Sequence, residues 1–526
     1  MGYDNKTFDV IVVGAGHAGV EAALAAARSG LSAALFTIGL DGVANMPCNP
    51  SVGGTGKGHL VFEIDALGGE MGYAADKVTM QSRTLNTGKG AAVRSKRIQA
   101  DRSEYSRNMK QTLEQTENLY LIQGEVTGVL TESAAGCVRV AGVTAEPGGE
   151  FFSRAVIIST GTYLGGVTHV GTVKRDSGPD GMLPARALSA SLEALGLRLQ
   201  RFKTGTPPRI HSRSIDFSAL EVQNGEEHII PFSVRTDENA LNKIRQIPCH
   251  IVYTNGETHK TILDNIHLSP LYSGQIHGTG PRYCPSIEDK IMRFRDKERH
   301  QLFVEPMGKH TDEIYLQGFS SSLPAEVQYK MLHTLKGFEN AEIMRFAYAI
   351  EYDCVDPTEL DATLESKKIE GLYGAGQFNG SSGYEEAACQ GLVAGINASL
   401  KIRKEAPMIL PRYSSYIGTL IDDLVTKGTA EPYRIMTSRS EFRLMLRQDN
   451  AERRLTEYGR AAGLIDEKRY SEYLRRKQAV DDEVARCRAT TLPPGGALNE
   501  ILVSAGSTPI STGAKLAELI RRPQIY

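Results

Sequence analysis

No stretch of the 526-residue chain approaches about 18 uninterrupted apolar residues, which excludes a hydrophobic membrane-spanning helix. No two of the seven cysteines are spaced C-x-x-C: Cys48, Cys137, Cys249, Cys284, Cys354, Cys389 and Cys487 are odd in number and widely scattered. That argues against a disulfide framework and against a zinc or iron–sulfur site, so any important cysteine should act as a lone thiol. There is no excess of positive charge either. The net charge is −2, and an RNA-binding surface would have to be a local basic patch. Met1 to Thr7 is short and polar and leads straight into an apolar run, with no signal or transit pattern, so a soluble cytoplasmic protein is expected. Internal repeats and low-complexity tracts are absent. What the chain does have is glycine, 53 residues gathered in a few places.

Phe8 to Val13 suits a buried parallel strand. Gly14-Ala15-Gly16-His17-Ala18-Gly19 follows at once, then an Ala-rich helix from Val20 to Arg28 that stops at Gly30. Strand, G-x-G-x-x-G and helix in this order form the context of a dinucleotide site. The glycines permit a tight turn and close backbone approach, and the helix N-terminus offers amide donors to a pyrophosphate. The second strand, Ser32 to Phe36, ends at Thr37, where an acid would grip a ribose, and Asp41 comes four residues late. The motif alone therefore leaves the dinucleotide open. Ala155 to Gly161 and Gly371 to Gly376 are further short strands running into glycines, the second followed by a helix from about Tyr384. Two-dinucleotide flavoproteins return to the flavin in this way, which favours FAD over a plain NAD site. Ordinary core strands of a doubly wound sheet are the alternative.

Two glycine-rich loops carry cysteine. Cys48 to Gly58 (CNPSVGGTGKG) lacks P-loop spacing, but its glycines would let backbone approach a flat cofactor with Cys48 at the edge. Gly278 to Lys290 puts Cys284 between Tyr283 and Pro285, flanked by Arg282 and Lys290. Nearby positive charge favours a thiolate, which can act as nucleophile or base. A lone cysteine is more often a buried structural residue; the Gly/Pro loop and its cations favour function here.

The segment Gly280-Pro281-Arg282-Tyr283-Cys284-Pro285-Ser286-Ile287-Glu288-Asp289-Lys290-Ile291-Met292-Arg293-Phe294, with Ala375 to Gly391 (AGQFNGSSGYEEAACQG), resembles the two signature segments of one family. It is the glucose-inhibited division protein A (GidA/MnmG) family, the tRNA uridine 5-carboxymethylaminomethyl modification enzymes. Lys203 to Arg209, Tyr348 to Asp353, Glu431 to Arg434, Thr437 to Leu444 and Asp449 to Leu455 agree, so the resemblance runs nearly end to end. It implies an α/β fold, with a Rossmann-type two-dinucleotide FAD-binding domain, inserted domains and a helical C-terminal region. It also implies a homodimer that joins a GTPase partner of the MnmE family in a heterotetramer and acts on the wobble uridine of certain tRNAs. Methylene-tetrahydrofolate would donate the one-carbon unit, glycine or ammonium the amine, and NADH the reducing equivalents. By similarity Gly14 to Gly19, Val126 and Gln377, with Gly161 and Gly376, would touch FAD; Gly280 to Phe294 would face NADH; and Cys48 and Cys284 match the family's functional cysteines.

The chain departs from the family at Ala91, usually proline, in Asp176 to Gly181, which lacks an arginine, and at Ser440 and Phe442, usually Ala and Tyr. It ends at Arg521 to Tyr526 inside a motif that continues in the family, and so reads as a truncated member. The chemistry is coherent: C5 of uracil becomes nucleophilic after addition at C6 or loss of a proton, and a thiolate can do either. Which cysteine does which stays open.

Two basic stretches are candidates for RNA, Lys89, Arg94, Lys96, Arg97 and Arg102, and Arg434, Arg439, Arg443, Arg447, Arg453 and Arg454 with Tyr433 and Phe442 interleaved. Arg439, Arg443 and Arg447 recur every fourth residue, so a solvated helix face is the competing reading, and the resemblance tips the balance to RNA. The expected layout is an FAD-binding domain over 1–201 and 341–405, an inserted α/β domain over 202–340, and a helical region over 406–526. Rival readings are a folate- and FAD-dependent tRNA 5-methyluridine methyltransferase, a flavin oxidoreductase of small molecules, and a non-catalytic flavin-bound assembly factor for the GTPase.

Overall fold

A computed structural model describes residues 7–134, 136–283 and 285–525. The chain divides into two compact units, 1–464 and 465–526. Cys284 lies outside the described residues.

The first unit is built on a parallel sheet. Strand β1 (Thr7–Val13) lies between β2 (Ala33–Thr37) and the Gly149–Ile158 strand, parallel to both. Leu119–Gln123 extends the sheet beyond β2, and Leu372–Gly374 pairs in parallel with Gly149–Ile158. Val10, Ile11 and Val12 are fully buried, as expected where helices cover both faces of a parallel sheet. The strands read as Ser32 to Phe36, Ala155 to Gly161 and Gly371 to Gly376 are all present, with ends that differ by up to six residues. An antiparallel ribbon, Glu125–Ala134 with Cys137–Glu146, joins Gly149–Ile158 on its free side.

Helix α1 (His17–Arg28) is buried on almost every side because a second helix, Tyr384–Ile402, packs across it. Small residues make the crossing close. A Cβ on Gly391 would sit 1.9 Å from the Ala18 carbonyl oxygen, and one on Gly395 would sit 2.5 Å from that of Ala22. The Gly391/Gly395 and Ala18/Ala22 pairs have the same four-residue spacing, so each helix turns one face of bare backbone to the other.

Between the early and late strands the chain builds two further sheets. One is four-stranded and antiparallel, in the order Val173–Asp176, Val167–Val170, Tyr348–Val355, Leu199–Thr206. The other has six strands drawn from residues 209–345 and its own buried apolar cluster around Ile210, Val304, Leu316 and Phe338. Residues 406–450, which the charge pattern reads as helical, hold one short α-helix, Tyr416–Asp422, continued as a π-helix over Asp423–Lys427, and otherwise turns and 3₁₀ turns. Pro407, Pro411, Gly428 and Pro432 interrupt any longer helix there. This segment is fastened to the first unit by Glu63, whose buried carboxylate accepts from the Tyr416 and Ile417 amides at 3.0 Å each and from Arg454 at 2.8 Å. In the second unit the long Glu467–Ala489 helix is followed by shorter ones at Gly496–Ser504 and Leu516–Leu519 and a two-stranded ribbon.

The helix crossing generates a test. Gly391→Val should destabilise the protein by about 3 kcal/mol or more, because the added carbons overlap backbone that has no room to yield. Gly256→Ala, with nothing within 4 Å of the new methyl, should be neutral or mildly stabilising. Apparent melting temperatures of the two variants check both, and an unshifted Gly391→Val would disprove the close contact.

Candidate functional site

Strand ends and glycine loops from distant parts of the sequence converge on one cavity of about 600 Å³. The turn after β1 forms one wall. Gly14 takes φ +101°, and a Cβ there would lie 2.6 Å from the Ser159 carbonyl; on Gly19 it would lie 1.8 Å from that of Gly14. Gly16 has open space where its Cβ would point, so a ligand can approach that backbone. Around this turn the cavity is lined by Gly14, Ala15, Gly16, His17 and Ala18, by Phe36 and Thr37 at the end of β2, by Val126, and by Gly161, Gly376 and Gln377 at the ends of the two later strands. The structure thus brings together all but one of the residues read as touching the dinucleotide. The exception, Gly19, lies beneath the turn as a packing residue and not on the wall.

Two polar atoms aimed into this region are buried without a hydrogen-bond partner in the protein, His17 Nε2 and Thr160 Oγ1. Asp41, the late candidate for gripping a ribose, is fully exposed and pairs loosely with Lys110 at 3.7 Å; it is not on the wall. Glu125, which the sequence reading passed over, is on it. Burial and the neighbouring Glu146 raise the Glu125 carboxyl above its usual range.

Cys48 lines the same cavity. Its backbone N–H donates to the Tyr384 hydroxyl at 2.9 Å, and its sulfur lies 3.2 Å from the Tyr315 hydroxyl. Tyr384 stacks on His17, centroids 4.5 Å apart, so the cysteine loop and the glycine turn share an aromatic contact. Arg209, 1% exposed, donates to the Pro47 and Cys48 carbonyls at 2.8 and 3.3 Å and lies over the Tyr315 ring at 4.6 Å. Beyond the Tyr384 ring, Lys57 sits between two buried carboxylates, 2.9 Å from Glu385 and 3.1 Å from Glu386. Burial raises both acids; Lys57 and the Gly53 amide hold Glu385 low, while Glu386, beside Glu385, stays raised.

Among the described residues of the segment from Gly280 to Phe294, only Tyr283 reaches the cavity, and it is 46% exposed. Ser286 caps the Ile287–Arg293 helix, Ile287 and Ile291 are core, Glu288 accepts from the Ser322 amide, and Lys290 donates to the Gly318 carbonyl. The basic stretches separate by role. Lys89 is exposed and Arg94 half-buried. Lys96 is buried, Arg97 lines the cavity and pairs with Glu305 at 2.7 Å, and Arg102 is held by Asn45 and Asp180. Arg439 and Arg443 are exposed, Arg439 lies 4.7 Å over the Tyr433 ring, and Arg447 pairs with Asp449 at 2.9 Å. Residues 437–447 form turns and a single 3₁₀ turn, so the helix face that the four-residue spacing suggested is not there. Among the described residues no group of three metal-binding side chains converges, and no helix is long and apolar enough to cross a membrane.

A glycine turn between a parallel strand and a buried helix, met by two returning strand ends over one long cavity, defines a dinucleotide-binding α/β protein. The family described as "Glucose inhibited division protein A" matches residues 9–406, and the "tRNA modifying enzyme MnmG/GidA C-terminal helical domain" matches 467–526. A protein of Caldicellulosiruptor saccharolyticus named tRNA uridine 5-carboxymethylaminomethyl modification enzyme MnmG is 56% identical over 518 residues, 98% of this chain and 82% of that protein. One of the same name from Clostridium botulinum is 56% identical over 525 residues, all of this chain and 83% of that protein. The crystal structure of Aquifex aeolicus GidA superposes with TM-score 0.88 at 48% identity, covering 92% of this chain and 81% of that one. The chain belongs to the glucose-inhibited division protein A family.

Buried histidines give the site a pH signature. Burial lowers His17 and His59 from 6.5 to about 4 each, while burial raises Glu21 to about 7. Below pH 6.5 the unfolded chain takes up two protons that the folded histidines refuse. The folded state gains one at Glu21, whose contribution is present at low pH and lost as pH rises through about 7. Between about pH 6 and 5 the two histidines outweigh Glu21 by one proton, so these three groups together should lower stability as pH falls, by roughly 1.4 kcal/mol per unit. Thermal melts across this window check the sign, and His59→Gln should flatten the dependence.

Proposed function

We propose that this chain binds FAD in the 600 Å³ cavity and uses Cys48 beside it to modify a uridine of tRNA. The observation that carries the reading is the meeting of a dinucleotide turn and a cysteine loop on one cavity wall, joined by the His17–Tyr384 stack. The residues fit the cofactor. Gly16 leaves room for a pyrophosphate against backbone, and His17 Nε2 and Thr160 Oγ1 are buried polar atoms awaiting a partner. Gly376 and Gln377 stand where a flavin ring would meet the late strand.

Bound FAD would supply hydride and one-carbon transfer chemistry. The protein's share is to orient the base, exclude water and present a thiol to C6 or to the C5 proton. The names carried by the relatives support 5-carboxymethylaminomethyl chemistry on the tRNA wobble uridine. Within this proposal NADH is the reductant, met by the Gly280–Phe294 segment with Cys284. Methylene-tetrahydrofolate gives the carbon, and glycine or ammonium gives the nitrogen. The working assembly is a cytoplasmic homodimer joined to an MnmE-type GTPase. Lys89, Arg94, Arg439 and Arg443 form the phosphate-facing surface, a reading supported by the exposure of Lys89, Arg439 and Arg443, whereas Arg97 and Arg447 are tied to carboxylates.

Purified protein should show flavin absorbance that bleaches on anaerobic addition of NADH, and with the GTPase and the other substrates it should modify tRNA. Cys48→Ala should retain the flavin and lose modification by at least a hundredfold, on the scale of an essential nucleophile or base. A Cys48→Ala protein with full modification would refute the role assigned to the thiol, and a protein that cannot be loaded with FAD would refute the cofactor.

A further inference from the structure

Cys48 is on a loop of the dinucleotide domain, yet the groups that define its position come mainly from the inserted six-stranded sheet. Arg209 and Tyr315 are directly opposed residues on neighbouring antiparallel strands, Arg209–His211 and Glu313–Gln317. Both are buried, Arg209 to 1% and Tyr315 to 3% exposure. The pair closes on Cys48 from two directions. Arg209 takes the Pro47 and Cys48 carbonyls, fixing the backbone, and Tyr315 places its hydroxyl 3.2 Å from the sulfur. Tyr384 fixes the remaining side through the Cys48 amide. A backbone clamped at both peptide groups leaves the thiol little freedom except rotation about its own side-chain bond.

We propose that Tyr315 is a positioning residue for Cys48, its hydroxyl donating to the sulfur whenever the sulfur is anionic, with Arg209 holding both partners in place. The inference rests on reading Cys48 as the reacting thiol and adds the residue that governs its protonation. When the thiol gives up its proton to solvent or substrate, the Tyr315 O–H remains whole and turns toward sulfur, so no electrons move and no further bond breaks. Hydrogen bonding to the charged form favours that form. The titratable and charged groups facing this pair include Tyr384 from the helix N-terminus, Arg102, which acts on Tyr384, Arg209, and Glu313, which lies 3.1 Å from Arg209 and offsets part of its charge. Arg209 lies 4.6 Å over the Tyr315 ring, and an arginine stays charged throughout the working range of pH.

The test is the pH profile of alkylation at Cys48, read by peptide mass spectrometry on the flavin-loaded full chain with iodoacetamide as probe. Tyr315→Phe keeps the ring and its stacking on Arg209, and should raise the midpoint by about one pH unit, a roughly tenfold loss of thiolate at fixed pH. Flavin content and melting temperature should stay unchanged, and kcat for tRNA should drop with little change in KM. Replacing Tyr315 with 4-aminophenylalanine keeps the shape with a weaker N–H donor that stays neutral in this range, and should raise the midpoint by less than phenylalanine does. That second variant also serves if the phenylalanine protein folds poorly. A midpoint indifferent to both changes overturns the proposal. Failure of the functional reading looks different: a normal response of Cys48 to Tyr315 in a protein that modifies no tRNA.

Discussion

The site depends on one close contact, the crossing of α1 and the Tyr384–Ile402 helix on bare backbone. Gly391 and Gly395 lie against Ala18 and Ala22 at distances that no side chain could share. That approach sets the N-terminus of the late helix beside the glycine turn after β1, and everything else at the cavity follows from it. Tyr384 reaches both the His17 ring and the Cys48 amide, and Glu385 reaches the Gly53 amide and Lys57. A larger residue at either glycine would move the helix by roughly the width of a methyl group, and hydrogen bonds of 2.7–2.9 Å do not survive such a displacement.

Buried carboxylates make the second set of ties. Glu63 binds the 416–417 backbone, Glu21 the amides of Glu70 and Met71, Asp76 those of Phe232 and Ser233, and Glu351 those of His277 and Gly278. In each case an acid on one element accepts from two successive amides of a segment far away in sequence. Burying a carboxylate is unfavourable unless its oxygens are satisfied, so each of these contacts is geometrically demanding: the distant segment must present two N–H groups at once. The result is that loops which would otherwise be free to wander, including the 406–450 segment with its prolines, are pinned to elements far away in sequence. Glu351 shows the consequence most plainly. Burial raises its carboxyl, but His169, the two amides and Arg201 outweigh that and hold it at about 2.

The parts of this architecture legible in the sequence were those with short-range causes. A strand running into G-x-G-x-x-G and a small-residue helix is local, and so are the later strands ending in glycine; all three meet as read. Cys48 beside a glycine-rich loop was also readable, because glycines mark backbone that must approach something. The rest was long-range. Nothing near Arg209 or Tyr315 hints that a strand pair 106 residues apart would deliver both to a cysteine more than 150 residues upstream. A four-residue recurrence of arginine looked like a helix face at Arg439, Arg443 and Arg447, but periodicity carries no information about whether neighbouring prolines and tertiary contacts permit the helix. Lys96 and Arg102 looked like surface charge and are structural, since burial depends on what the rest of the chain brings to them.

These observations bear on why the chain builds a six-stranded sheet from residues 209–345 between its outer segments. A dinucleotide fold with an open edge could bind its cofactor without residues 207–347, since the turn, the returning strands and the crossing helix belong to the outer segments. Among the described residues, what this stretch adds to the cavity wall is Tyr283, Tyr315, Gln317, Gly318 and Ser320, while Arg209, off the wall, holds the Cys48 carbonyl and lies over the Tyr315 ring. The four-stranded sheet that carries Leu199–Thr206 into the insertion and Tyr348–Val355 out of it pairs those two strands over eight residues, from Leu199↔Val355 to Thr206↔Tyr348. That long ladder is a stiff connection, so the inserted sheet holds its clamp on Cys48 as firmly as if it grew from the same domain. The cofactor's place is set by one part of the fold and the thiol's by another, and the ladder is what keeps the two in register.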